Sequence, residues 1–196
     1  MYKIVEKKVL NPTVIQLWIE APLVANKAKP GQFIILRVDE DGERIPLTVA
    51  GVNKDNGTVK IIFQVVGGTT KKLSYKEAGE YIQDFVGPLG VATHLDGLKK
   101  VCIVGGGVGC AIALPVARKF HELGCEVHSV IGFRSNSLHW ASGSLLNAQS
   151  SNCLHKSHLG ITMPPLSTSQ ANIDTHSNRR CSCIHLRHSP GIHCTD

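Results

Sequence analysis

Residues 100–109, Lys-Val-Cys-Ile-Val-Gly-Gly-Gly-Val-Gly, constrain the fold of this chain more than any other stretch. The apolar run reads as a buried strand, and the glycines that follow allow a turn too tight for side chains. Apolar residues then recur at Val108, Ile112, Val116 and Phe120, which predicts a helix over Val108–Leu123 stopped by Gly124. Pro115 falls inside that helix and should cost it a hydrogen bond or kink it. Glu126 to Phe133 reads as the next strand, so Lys99–Arg134 forms one strand-helix-strand unit of the parallel kind. Such a turn brings backbone close to a pyrophosphate and aims helix N-terminal N–H groups at its charge. A purely structural turn uses the same glycines, and Cys110 stands where the usual dinucleotide pattern has its third glycine.

The rest of the chain divides in two. Up to Ser135 there are three serines, Ser74, Ser129 and Ser135; beyond it there are eleven, with seven of the ten histidines and four of the seven cysteines. Acidic residues there number two, Asp174 and Asp196. Segments such as Ser150–His155 fit neither a helical nor a strand period, so residues 136–196 are expected to form an irregular, disordered tail. A shifted reading frame after Arg134, or a truncated gene, would account for the change. Translating the other frames tests this, and the idea fails if none resumes the strand-helix pattern.

Before the glycine turn the pattern is of short strands. Val14–Ile19, Phe33–Val38, Ile45–Val52, Thr58–Val66 and Tyr81–Val86 are rich in branched and aromatic residues. Asn53–Gly57 reads as a hairpin connection and Gly87–Gly90 as a closing turn. Thr69–Glu80 holds the only helix expected in this half. The pattern suggests a small antiparallel barrel through about residue 95.

Five segments occur in order: Pro30-Gly31-Gln32-Phe33, Arg44-Ile45-Pro46-Leu47-Thr48, Gly67-Gly68-Thr69-Thr70, Asp84–Gly90 and Gly105–Gly109. In these the chain resembles the ferredoxin-NADP reductase superfamily over roughly residues 1–134. The nearest groups are the electron-transfer subunit of dihydroorotate dehydrogenase and the sulfide dehydrogenase-like alpha subunit of NADH-dependent ferredoxin-NADP oxidoreductase. The resemblance implies an antiparallel FAD-binding β barrel (1–97), an incomplete parallel α/β NAD(P)-binding domain (98–135) and the irregular tail (136–196). On that reading Pro46, Leu47 and Thr48 line the flavin ring, while Arg44 serves the pyrophosphate or holds its loop. Phe63, Gln64 and Val65 run beside the ribityl or adenosine side, and Gly68, Thr69 and Thr70 receive phosphate oxygens. Gly105, Gly106, Gly107, Val108 and Gly109 take the nicotinamide nucleotide. Each has a plainer alternative: a surface charge at Arg44, a strand residue at Thr48, a helix cap at Thr69 and Thr70.

An NAD-specific fold often ends its second parallel strand with a carboxylate for the ribose hydroxyls. This strand ends Gly132-Phe133-Arg134-Ser135, so Arg134 is expected to favour a 2′-phosphate and NADP(H). No protein residue is expected to be catalytic, because flavin and nicotinamide carry the chemistry. The implied function is an FAD-containing electron-transfer subunit of an NAD(P)H-linked oxidoreductase, the alternative a non-catalytic FAD-binding fragment. The implied partner is a second flavoprotein subunit, glutamate-synthase-like or the dihydroorotate dehydrogenase catalytic subunit, with ferredoxin as a further candidate. The family's 2Fe–2S cluster is not expected, because Cys181, Cys183, Cys194, His185, His188 and His193 have neither iron–sulfur nor good zinc spacing. Net charge is +6, and Lys/Arg alternate with Asp/Glu through the first 135 residues, which argues against nucleic acid. No run approaches the roughly 18 apolar residues of a spanning helix, and no signal-peptide core is evident, so a cytoplasmic location is expected.

Overall fold

The computed structural model describes residues 1–133, with side chains through Ser129, and the backbone of two later strands at 153–157 and 182–185. Nine elements build the first module: β1 (Tyr2–Asn11), β2 (Val14–Glu20), α1 (Pro22–Lys27), β3 (Phe33–Arg37), β4 (Ile45–Asn53), β5 (Thr58–Gln64), α2 (Gly68–Tyr75), β6 (Tyr81–Ile82) and β7 (Asp84–Leu89). Strand period sorts the side chains. On β2, Ile15, Leu17 and Ile19 enter the core, whereas Gln16, Trp18 and Glu20 face outward.

The seven strands form one antiparallel sheet in the order β6-β1-β2-β5-β4-β3-β7. Its two edge strands, β6 and β7, are consecutive in the chain and separated only by Gln83. The Gln83 N–H donates to the carbonyls of Arg37 (3.0 Å) and Val38 (3.2 Å), so the sheet curls back on itself as a barrel. Ile4, Leu17, Ile19, Ile34, Leu36, Ile61, Phe63, Leu73, Ile82 and Phe85 fill it, each at most 2% exposed. Each such side chain stabilises the fold by about 1.5–3 kcal/mol before chain entropy is subtracted.

The barrel matches the expected class, with local corrections. β1 has no counterpart among the expected strands, because only Ile4 and Asn11 of its ten residues are buried and the alternation is hidden. The second helix of this half, α1, starts at Pro22, whose fixed φ suits a first helical position; six residues are too few to show a period. α2 falls on the expected stretch but ends at Tyr75 rather than near Gly79. The expected strand Tyr81–Val86 is split at Gln83, and Gly87-Pro88-Leu89 belongs to β7 rather than to a turn.

The second module is built from β8 (Lys100–Gly106), a 3-10 turn (Gly107–Gly109), α3 (Cys110–Glu122) and β9 (Glu126–Phe133). β8 and β9 run parallel, as the strand-helix-strand pattern predicts. Ala113, Leu114, Val116, Ala117 and Phe120 of α3 pack on Val101, Ile103 and Val127. The helix runs on through Pro115. Beyond the expected unit, β10 (Cys153–Ser157) pairs parallel with β9 and β11 (Ser182–His185) parallel with β8. The sheet order is therefore β10-β9-β8-β11, so two short strands lie within the stretch expected to be irregular. Backbone pairing, which needs no apolar period, supplies these two strands.

A small third cluster joins the modules. Val14, Ala50 and Ile62 on the outer face of the barrel meet Ala111 of α3, flanked by Leu10 and by Val108 of the glycine turn.

Candidate functional site

The segment Arg44–Thr48 opens β4 and is held from both sides. Ile45, Pro46, Leu47 and Thr48 pair with Leu36, Ile35, Ile34 and Phe33 of β3. Pro46 is exposed, while Leu47 and Thr48 are half-buried, so this strand start presents a shallow, partly apolar shelf. Arg44 reaches Asp84 Oδ2 at 3.2 Å, and Arg37 Nε reaches the same oxygen at 2.7 Å. Arg44 is thus tied to β7 through Asp84, with its guanidinium still largely in solvent. Gln32 joins two more of the motifs: its Nε2 donates to the Gly90 carbonyl at 2.9 Å.

β4 and β5 pair antiparallel from Asn53↔Thr58 to Val49↔Ile61, so the start of β4 and the end of β5, followed by Val65, run toward the same end of the sheet. Phe63 is 2% exposed inside the barrel, so only its backbone is available to a ligand; Gln64 is exposed and Val65 half-buried. α2 follows at once. Thr70 Oγ1 accepts from the N–H groups of Val66 and Gly67, both at 3.0 Å, and donates to the Gly67 carbonyl. That hydroxyl is committed to capping its own helix. Thr69 Oγ1 donates to Glu43 Oε2 at 3.0 Å, which ties the α2 N-terminus to the residue before Arg44. Among the described residues, no hydrogen bond is recorded for the amide N–H groups of Gly68, Thr69 and Thr70, as expected of a first helical turn. A Cβ on Gly67 or Gly68 would meet nothing within 4 Å, so open space lies beside these donors.

The glycine turn completes the set. A Cβ on Gly105 would lie 3.2 Å from both Ala113 Cβ and Cys110 Sγ, so glycine there lets strand and helix approach more closely than a side chain would. Gly107 has φ +54° and open space around it, so this glycine serves backbone shape and close approach instead. Gly106, Gly109 and Val108 continue the turn, with Val108 in the cluster that seats it against β2, β4 and β5. Four stretches dispersed over residues 44–109 are thereby brought to one end and one outer face of the barrel. Beyond the turn on that face, Lys60 Nζ lies 5.1 Å from the Trp18 ring centroid. Burial, then repulsion from Arg118, holds its pKa below the usual lysine value, with Glu6 opposing.

Arg134 lies outside the described residues, as do Cys181, Cys194, His188 and His193; for Cys183 and His185 only the β11 backbone is described. Two partners escape sequence reasoning: Asp84, which anchors Arg44, and Glu43, which engages Thr69. Asp84 opens the Asp84–Gly90 motif and so leaves a trace in the sequence, though not of its partner, whereas Glu43 leaves none. Among the described residues no helix is long and apolar enough to cross a membrane.

No protein-family model matches the chain. A dihydroorotate dehydrogenase B (NAD(+)) electron transfer subunit homolog of Thermotoga maritima is 42% identical over 133 residues, covering 68% of this chain and 47% of the relative. The corresponding electron transfer subunit of Streptococcus pneumoniae R6 is 32% identical over 136 residues, covering 67% and 52%. The chain spans about half the length of these curated relatives. Among solved structures, an NADH-dependent reduced ferredoxin-NADP oxidoreductase, described for flavin-based electron bifurcation, matches with a TM-score of 0.75 at 37% identity. That match covers 79% of this chain and 56% of the other. Amycolatopsis cytochrome P450 reductase GcoB matches with a TM-score of 0.64 at 21% identity over 75% of this chain and 46% of its own, a likeness of fold.

Proposed function

Because the chain belongs, over about two thirds of its length, to the ferredoxin-NADP reductase superfamily, in the branch of the dihydroorotate dehydrogenase electron-transfer subunits, we propose that it binds FAD and a nicotinamide nucleotide and relays electrons to a second subunit. The observation that carries this is the convergence just described: β4, β5 and the α2 N-terminus meet at one barrel end, and the glycine turn packs on the same strands. The residues fit the group. The shelf of Pro46, Leu47 and Thr48 accepts a flat ring, and the Thr48 hydroxyl supplies a hydrogen-bonding group at its edge. Backbone around Gln64 and Val65 follows the chain of the ligand, and the unpartnered N–H groups of Gly68, Thr69 and Thr70 meet its phosphates. Glu43 must release Thr69 if that hydroxyl is to join them. Arg44 steadies the shelf through Asp84.

Gly105 to Gly109 present backbone to the second nucleotide at the C-terminal end of β8. The strand order β10-β9-β8-β11 places that end where the winding reverses, between β8 and β11, the position at which open parallel sheets take their ligands. When bound, FAD supplies hydride acceptance and single-electron release, which no side chain here provides. The protein's part is to align, to hold, and to keep water from the meeting point through the Val14, Ala50, Ile62 and Ala111 contact. Arg134 is assigned to a 2′-phosphate, hence NADP(H), and the partner to a second flavoprotein subunit, either the dihydroorotate dehydrogenase catalytic subunit or a glutamate-synthase-like one.

An absorption spectrum of the purified chain after FAD addition, then after NADPH or NADH under nitrogen, tests this. A flavin band that bleaches with NADPH faster than with NADH is expected. Colourless protein that ignores FAD refutes the flavin site, and a band that neither nucleotide bleaches reduces the chain to a flavin-binding module. NADH preference overturns the role given to Arg134.

A further inference from the structure

The outer face of the barrel carries two neighbouring cross-strand rows. Glu6, Trp18, Lys60 and Gly51 pair across β1, β2, β5 and β4, and Glu20, Thr58 and Asn53 pair across β2, β5 and β4. Cross-strand partners project to one face, and residues two apart along a strand share it. These rows line a cavity of about 500 Å³ with Glu6, Trp18, Glu20, Thr58 and Asn53, and Asn56 extends its hairpin wall. Small-molecule sites have volumes of roughly 300–1,000 Å³. The wall is tied down: Asn53 Oδ1 accepts from the Asn56 N–H at 3.1 Å, and the Gly57 carbonyl accepts from the Ala21 N–H at 2.9 Å. β2 rises by about 3.4 Å per residue, so Glu20 stands roughly 20 Å along the strand from Val14, where the glycine turn packs.

Two observations point to a ligand. Thr58 is 7% exposed, yet its hydroxyl makes no hydrogen bond among the described residues. The strand does not need that hydroxyl, because valine suits the same backbone. Beside it, Glu6 and Glu20 flank the half-buried Trp18, and neither carboxylate has an ion-pair partner among the described residues. Lys60 lies over the Trp18 ring, outside the cavity lining, with Arg118 near enough to repel it. The lining therefore joins two carboxylates, an aromatic ring and an unused hydroxyl acceptor. Carboxylates repel anions, an aromatic face attracts cations, and a planar guanidinium both stacks on such a face and donates at its edge.

We propose that this cavity binds a small alkylguanidine. Its planar head lies against Trp18 and donates to the Glu20 carboxylate and the Thr58 hydroxyl, while Glu6 adds negative potential. The site is separate from the nucleotide reading above and stands or falls without it.

The test is titration calorimetry of the full chain with agmatine at low salt. Saturable binding with a Kd of about 1 mM or tighter is expected. Carbamoylputrescine, in which a neutral urea replaces the guanidinium, should bind at least about tenfold more weakly. Thr58→Val should lose about fivefold or more in agmatine affinity with the urea midpoint held or raised, and Thr58→Ser should keep the affinity. Trp18→Leu should lose about fivefold or more, and Trp18→Phe less. No binding up to roughly 10 mM, equal affinity for carbamoylputrescine, or Thr58→Val and Trp18→Leu affinities within twofold of wild type overturn the site. N-acetyl-arginine methylamide, which stands for an arginine within a polypeptide, should bind more weakly than agmatine; tighter binding overturns a free small molecule as the occupant.

Discussion

Two glycines of one turn are held to glycine by different physics, and alanine at each should expose the difference. At Gly105 an added Cβ would sit 3.2 Å from Ala113 Cβ and Cys110 Sγ and 3.4 Å from Cys110 Cα. α3 must then retreat by a few tenths of an ångström along its first turns, an overpacking cost of about 1–3 kcal/mol. That Cβ points at the helix, away from the ligand side. At Gly107 nothing lies within 4 Å of the added atom, and the cost is the left-handed φ of +54°, about 1–2 kcal/mol for an alanine. Here the methyl projects into open space, which the proposed function gives to a pyrophosphate. Urea unfolding followed by circular dichroism and ADP-ribose titration calorimetry separate the two. Gly105→Ala should lower stability by roughly 2 kcal/mol while keeping ADP-ribose affinity within a few-fold. Gly107→Ala should lower stability by only about 1 kcal/mol yet cost more than about tenfold in affinity. A Gly107→Ala protein that binds as well as wild type, or a Gly105→Ala protein of unchanged stability, would refute this division.

Asp84→Ala strips Arg37, 21% exposed at its side chain, of its carboxylate and should cost about 1–2 kcal/mol, whereas Arg44→Ala, 61% exposed, should cost under about 0.5 kcal/mol in the same urea assay. Glu43→Gln removes a negative charge beside the α2 N-terminus and should tighten FAD binding by roughly two- to fivefold in a fluorescence titration; weaker binding would place the phosphates elsewhere. Hydrogen bonds from Lys100, then His128, hold the Glu126 carboxyl below the usual carboxylate range. A depressed folded pKa adds stability that is present above the unfolded value, 4.5, and lost as pH falls through the folded one. Glu126→Gln should therefore lose less stability than wild type on acidification below pH 4.5; an identical acid limb in thermal melts would count against the Lys100 and His128 contacts.

Elements carried by an apolar period are legible from residues alone. β2, β4, β8, α3 and β9 lie within a residue or two of expectation, because Leu17, Val101, Val116 and Phe120 mark one buried face. β1 is not legible, because its contribution is backbone pairing to β2 and β6, with charged residues facing solvent. The strands at 153–157 and 182–185 escape for the same reason. Within the candidate site, motif order identifies the segments, but local patterns are blind to long-range partners. Asp84 is 40 residues from Arg44 and Glu43 is 26 from Thr69, so neither pairing leaves a spacing to read. Phe63 illustrates the converse case. A residue inside a motif is assigned to the ligand, while strand alternation turns its ring into the core.

The patch joining the modules has one alanine on each side, Ala50 and Ala111, set among Val14, Ile62, Leu10 and Val108. On the function proposed above, the size of these two alanines acts as a shim that would set how near the nicotinamide ring comes to the flavin. Replacing Ala111 by valine and then leucine would widen that gap in methyl-sized steps. Under that proposal the interface would double as a ruler against which hydride transfer from nicotinamide to flavin can be calibrated.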